Sequence, residues 1–170
     1  MQYVKIPNER IAVLVGKNGA TKESIEKKTN TKISVTDTSV SVVGAAIDEW
    51  VAKDVVLAIG RGFSPENALR LLKENNTIEI LRIGDIARSK NDLDRLKGRI
   101  IGEGGKTRKT IEEMTGCSVS VYGKTAAIIG LADDVYTAKE AIVKLLDGAQ
   151  HTSVYKFLEK KRVEGKPMIL

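Results

Sequence analysis

KGRIIGEGGKTRKTIEEMTGCSVSV, residues 97–121, is the stretch whose reading decides the fold. An apolar pair, Ile100 and Ile101, leads into a tight turn with Gly102 and Gly105 at G-x-x-G spacing, and a basic helix start and a short β-branched strand follow. Glycine removes the Cβ that keeps a phosphate at a distance and opens backbone angles closed to other residues. A helix beginning just after the turn aims unpaired N–H groups and its positive dipole end at the same point. Lys106, Arg108 and Lys109 add cations beside it, and Lys97 and Arg99 precede it. Together these pieces suit the gripping of a single-stranded RNA backbone.

A lone G-x-x-G is a weak signal, since most such spacings are ordinary turns or helix caps. Here there are two. An offset of 102 − 16 = 86 residues aligns Val15, Gly16, Lys17, Asn18 and Gly19 with Ile101, Gly102, Glu103, Gly104 and Gly105, without a gap. The match continues through Thr21 with Thr107, Ile25 with Ile111, Glu26 with Glu112, Thr29 with Thr115, Gly44 with Gly130 and Asp48 with Asp134. Repetition of this kind marks a duplicated structural unit.

VGKNGATKESIEKKTNTKISV in the first half and IIGEGGKTRKTIEEMTGCSVSV in the second resemble the KH domains. They join glycine loop, helix, threonine turn and strand in one order, twice. The resemblance implies an α+β chain of two eukaryotic-type (type I) KH domains, each a three-stranded antiparallel sheet packed on three helices, joined by a helical connector. The expected division is residues 1–62 for the first module, 63–76 for the connector, 77–148 for the second module and 149–170 for a C-terminal helix and tail.

The bulk composition agrees. Twenty-eight Lys and Arg against 22 Asp and Glu give a formal charge of +6 and a pI near 9.4, which favours an anionic partner. Residues 5–32 and 95–124 each hold seven basic and three acidic side chains, so each window carries 7 − 3 = +4 and the remainder −2. Only 4% of residues are aromatic, which argues against surfaces that stack bases on rings. A single cysteine, Cys117, forms no internal disulfide, and with one histidine there is no His/Cys metal cluster. No apolar run is long enough for a membrane span or signal peptide, and a reducing cytoplasm is the expected setting.

Along the chain, residues 3–6 read as a strand, 10–15 as a short helix behind Asn8 as cap, 20–28 as a second helix, 32–37 and 40–43 as strands and 45–59 as a helix. Ile47, Val51, Val55 and Ile59, spaced at four, are its expected apolar face, with Trp50 as a packing residue. In the connector, Ser64 caps a helix with Pro65 at its first position and Ala68, Leu69, Leu71 and Leu72 on its apolar face. Residues 77–83 form the first strand of the second module. The 86-residue offset would place that strand on SKNDL, so residues 84–94 are an insertion whose Arg88 and Lys90 either extend the basic surface or solvate a loop. Helix 107–114, strands 118–122 and 125–129 and helix 132–146 complete the module. Ser153 can then cap a tail helix running to about residue 163, with His151 in front of it as a surface or capping residue.

No catalytic set emerges. GEGGKT lacks the glycine a phosphate-binding P-loop needs at the position of Ile100, and G-x-G-x-x-G fails at Thr107. Asp133 and Asp134 lie at a predicted helix start, where acids favour the dipole. No Ser/His/Asp or Cys/His set stands out, so neither an enzyme nor a cofactor is expected.

The KH resemblance implies three or four nucleotides laid across each module, backbone at the glycine loop and bases between the helix pair and the strand. It assigns Gly102, Glu103, Gly104, Gly105, Lys106 and Arg108 to phosphates, with Ile100, Ile101 and Val119 as the aliphatic floor. The first-module equivalents are Gly16, Lys17, Asn18, Gly19 and Lys22, over Leu14, Val15 and Ile33. Glu103 departs from the family, whose loops usually carry a basic residue at one variable position. RGFSPENALRLL, KGRIIGEGGKTRKTIEEMTGCSVSVYG and AKEAIVKLLDGAQHTSVYKFLEKKR are further similar to the archaeal and eukaryotic pre-rRNA processing factors called partner of Nob. That resemblance implies a cytoplasmic, archaeal-type ribosome-assembly factor binding near the 3′ end of small-subunit rRNA. It also implies the endonuclease Nob, the rRNA dimethyltransferase and the alpha subunit of translation initiation factor two as associates. The rival readings are a KH scaffold for a protein partner and a general single-strand RNA binder.

Overall fold

Valines alternate with polar or outward residues in the hairpin, and that alternation sets the first sheet. In the computed structural model, which describes residues 1–37 and 39–166, Val40 and Val42 are buried while Ser41 and Val43 point away from the core. The chain divides into two compact units, Met1–Ile78 and Glu79–Leu170. The first runs β1 (Gln2–Val4), α1 (Asn8–Val15), α2 (Ala20–Thr29), β2 (Thr31–Val35), β3 (Val40–Gly44) and α3 (Ala46–Gly60). Its antiparallel sheet has the order β1-β3-β2, with Tyr3 opposite Ser41 and Ile33 opposite Val42. Leu14, Ile25, Ile33, Val42, Val55 and Ile59 fill the space between sheet and helices.

The face of α3 differs from its expected stripe. Val55 and Ile59 are fully buried, but Ile47 is 79% exposed. Four-residue spacing advances about 40° beyond a full turn at each step, so three steps carry residue 47 about 120° from residue 59. Trp50 is likewise 57% exposed, with Lys53 Nζ 4.7 Å from its ring centroid, so it does not pack into the core.

The segment expected to be one connecting helix is two short turns, α4 (Pro65–Ala68) and a 3₁₀ turn at Leu69–Leu72. Ser64 Oγ accepts from Asn67 N–H at 3.2 Å, and Pro65 follows the cap. Phe63, Ala68 and Leu71 are buried, and this segment packs on α3.

The second unit repeats the order with β4 (Asn76–Arg82), α5 (Lys90–Ile101), α6 (Lys106–Thr115), β5 (Ser118–Tyr122), β6 (Thr125–Leu131) and α7 (Ala132–Leu146). Its sheet order is β4-β6-β5. The expected insertion is shorter than its sequence suggested. Residues 83–89 connect β4 to α5, whereas 90–94 are the first turn of α5 itself, capped by Ser89 Oγ on Asp92 N–H at 3.1 Å. α8 (His151–Glu164) starts two residues before the predicted Ser153 cap and lays Val154 and Leu158 into the core against α6 and α7. The expected tail is described as far as Lys166, and residues 167–170 fall outside the described residues.

Much of the repeat is explained by packing. Thr29 and Thr115 each donate a hydroxyl hydrogen bond of 2.7 Å to the carbonyl one turn back, Ile25 and Ile111, closing α2 and α6. Gly44 and Gly130 have no room for a side chain, because a Cβ there would lie 2.9 Å from Thr31 Cγ2 and 2.7 Å from Cys117 Sγ. Among the described residues no helix is long and apolar enough to cross a membrane, and no group of His, Cys, Asp and Glu could hold a metal ion.

Candidate nucleic-acid interface

Two nearly superimposable loops follow α1 and α5. Gly16 has φ 72°, ψ 178° and Gly102 has φ 73°, ψ 173°, a combination open essentially only to glycine. A Cβ at either would run into Thr21 or Thr107, 2.7 Å from the threonine Cβ. Asn18 and Gly104 then take left-handed angles (φ 55° and 59°), as do Gly19 and Gly105 (φ 79° and 78°). Gly19 N–H and Gly105 N–H each close the loop on the first glycine's carbonyl at 3.2 Å. The space beside Gly19, Gly104 and Gly105 is open. Lys17, Asn18, Glu103 and Gly104 are therefore displayed on exposed loop tips.

α2 and α6 begin directly after these loops, and neither has a side-chain cap. The N–H groups of Ala20 and Lys106 turn back to the carbonyls of Lys17 and Glu103 within the loop, so what each junction offers a phosphate is the positive end of the helix dipole beside an open glycine turn. Lys17, Lys106 and Lys109 are exposed beside them.

Other expected site residues have different duties. Leu14, Ile33, Ile100 and Val119 were expected as a floor for bases, but all four are buried core side chains. Val15 and Ile101, half-buried at the loop entrances, remain available. Arg99 donates from Nε to Leu145 O at 2.8 Å and from its second terminal nitrogen to Ala149 O, so its guanidinium satisfies carbonyls around the end of α7 and does not face the loop. Arg10 does the same in the first unit, reaching Ile59 O at 2.8 Å and Phe63 O at 2.7 Å. Lys97 is half-buried on α5.

Lys22 and Arg108 each pair with a glutamate one turn on, Glu26 and Glu112. In the first unit the pair also closes the edge of β2: Ile33 N–H donates to Glu26 Oε1 at 2.7 Å, and Lys22 Nζ donates to Ile33 O at 3.2 Å. A base approaching that strand edge must displace the protein's own side chains.

Burial pushes the Glu26 carboxyl up, but the Ile33 N–H and the Lys22 and Lys32 ammonium groups outweigh it and hold it below the usual glutamate value. A lowered carboxyl stabilises the fold fully above its unfolded value of about 4.3, and this is lost as the pH falls through the folded value. Glu26→Gln is thus expected to be less stable than wild type at pH 6, with the gap closing as the pH falls below the unfolded value and through the lowered folded one. Urea unfolding at several pH values checks this, and a constant gap would refute it. Asp54, which burial raises, acts in the opposite sense but equally in both proteins.

Two features escaped the sequence reading. Thr107 Oγ1 lies 3.0 Å from Tyr155 OH, so α8 buttresses the residue on which the Gly102 turn closes. His151 Nε2 lies 3.0 Å from Arg99 O, tying the start of α8 to α5. The repeat marked Thr107, but nothing local pointed to Tyr155.

A three-stranded antiparallel sheet backed by helices, with a G-x-x-G turn between the first two of them, defines a type I KH module, and this chain carries two. It belongs to the family of eukaryotic-type KH domains (KH-domain type I), whose pattern it matches over residues 8–77 and again over 76–163. It is 46% identical to a KH domain-containing protein of Methanocaldococcus jannaschii over 98% of this chain and 76% of that protein. With the pre-rRNA-processing protein PNO1 of Chaetomium thermophilum it shares 34% identity over 60% of this chain, which spans 40% of the fungal protein's length. A chain of the a/eIF2alpha–aDim2p–rRNA complex from Pyrococcus horikoshii OT3 superposes with a TM-score of 0.90 at 50% identity, covering 96% of this chain and 94% of that one.

Proposed function

We propose that this chain is a non-catalytic, cytoplasmic RNA-binding factor of small-subunit ribosome assembly that grips the single-stranded 3′ region of small-subunit rRNA. The observation that carries the reading is the pair of exposed glycine loops, each set against an uncapped helix start. The likeness to a chain crystallised with rRNA, and to a pre-rRNA-processing protein, supports the choice of RNA. Gly102, Gly104, Gly105, Lys106 and Lys109 hold phosphates in the second module, with Ile101 and Lys97 along the groove. Gly16, Lys17, Asn18 and Gly19 do so in the first, beside Val15. Functionally the chain divides into residues 1–62, 63–76, 77–148 and 149–170. The endonuclease Nob, the rRNA dimethyltransferase and the alpha subunit of initiation factor two are its proposed associates, the last supported by the presence of a/eIF2alpha in the Pyrococcus complex.

Fluorescence anisotropy with a labelled oligonucleotide from that 3′ region tests the reading. Binding should exceed that to a scrambled strand and weaken with salt at a log–log slope of about −0.7 per phosphate held. With about three phosphates on each module, the slope is about −4 when both engage and about −2 when one does. Equal binding to the scrambled strand would remove the rRNA assignment. No binding at all would favour a protein scaffold, a reading for which the closed Ile33 edge of the first module speaks.

A further inference from the structure

We propose that the second module holds one nucleotide more than the first, in a pocket between the start of α5 and the β5–β6 turn. This rests on the RNA-binding reading above and extends it to a subsite the glycine loop does not define.

The two modules differ in the helix that leads into the loop. α1 has 8 residues and α5 has 12, about 12 Å and 18 Å of axis, so α5 reaches one further turn away from the glycines. The connection before it differs too, with residues 5–7 joining β1 to α1 and residues 83–89 joining β4 to α5. The longer connection folds back on the β5–β6 turn and borders a half-open pocket of about 510 Å³, lined by Gly84, Ala87, Arg88, Leu93, Asp94 and Lys124 among others. That volume lies in the range of about 300–1,000 Å³ usual for small-ligand sites.

The walls are fixed. Gly84 N–H donates to Lys124 O at 3.0 Å, and a Cβ on Gly84 would stand 3.1 Å from Lys124 Cβ. Ile83 is fully buried and its carbonyl receives the N–H groups of Ile86 and Ala87, both at 3.0 Å. Asp92 Oδ2 accepts from Arg88 N–H at 2.9 Å while Asp92 N–H donates to Ser89 Oγ, a reciprocal cap that sets where α5 begins. The segment is a built structure, not a solvated loop.

Position on α5 ties the pocket to the groove. Residues 90, 94, 97 and 101 share one helix face. Ile101 and Lys97 stand at the loop end of that face, and Lys90 and Asp94 line the pocket at its other end. An RNA strand held at Gly102–Gly105 and running along α5 arrives at the pocket one helical turn beyond the reach of the first module. Its chemistry suits a nucleotide. Ala87 and Leu93 offer apolar surface to a base, and exposed Arg88, Lys90 and Lys124 surround it with positive charge. The Asp94 carboxylate accepts from an exocyclic amine, favouring cytosine over uracil.

The test uses the full chain, as wild type and with the first loop disabled by Lys17→Asp and Asn18→Asp. ¹⁵N-labelled protein is titrated with a four-nucleotide RNA and with the same RNA extended by one cytidine at the 5′ or the 3′ end. Extension at one end only should tighten binding about tenfold, the size of one charge-assisted hydrogen bond, and should newly shift the amides of Gly84 and Lys124. In Arg88→Ala with Lys124→Ala, the four-nucleotide affinity should hold while the gain from extension falls below about twofold. Equal gains at both ends, a gain that survives in the pocket variant, or equal loss for every length would overturn the proposal and point to bulk charge. Failure of wild type to bind any of the strands would instead bring down the RNA-binding reading, and the subsite with it.

Discussion

Gly102→Ala is expected to lower the stability of the second unit by about 2–6 kcal/mol, with Gly16→Ala doing the same in the first. The backbone there lies at φ 73°, ψ 173°, where an L residue is strained by about 1–3 kcal/mol. The new Cβ must also displace Thr107, which is buried, sits in the first turn of α6 and touches Tyr155 of α8. Overpacking of such a site costs about 1–3 kcal/mol more. Gly105→Ala meets nothing within 4 Å and should cost only about 1–2 kcal/mol for its left-handed angle. Urea unfolding of the three variants ranks them, and similar midpoints for Gly102→Ala and Gly105→Ala would show that the threonine contact does not matter. The first glycine of each loop thus belongs to the fold, and its replacement cannot serve as a clean test of RNA binding.

The clean test lies at the loop tips. Lys17→Asp with Asn18→Asp changes the first loop by −3 charges and should weaken its hold on RNA about a hundredfold, since like charges across an interface cost several kcal/mol. The fold should survive, because Asn18 already has the left-handed backbone (φ 55°) that aspartate tolerates and both side chains are exposed. In the second loop Glu103 already sets an acid against the phosphate, so Glu103→Asp with Gly104→Asp adds only one negative charge and should cost less. Glu103→Lys reverses the sign and should strengthen binding about five- to tenfold. Anisotropy with circular dichroism as a control reads all three. Unchanged affinity in both aspartate variants, with the protein folded, would mean that neither loop is an RNA site.

The sequence by itself determined the two-module architecture, because the residues that repeat are those whose constraints are local. Gly16 and Gly102 stand against a threonine five residues on, Thr29 and Thr115 bond to a carbonyl four residues back, and each pair is readable from spacing alone. The glycine loops, and so the place where a phosphate can approach, were legible for the same reason. What only the tertiary structure decided is which neighbouring side chains are free to use. Arg99 is spent on carbonyls 46 and 50 residues away, Lys22 on a carbonyl of the adjoining strand, and Leu14, Ile33, Ile100 and Val119 on the core. Ile47 and Trp50, apolar enough to be assigned inward, lie outside because the helical period carries them round α3, away from the face that Val55 and Ile59 turn to the core. A charge or an apolar side chain announces its chemistry in sequence, but its burial and its partner are set by elements that meet only when the chain has folded.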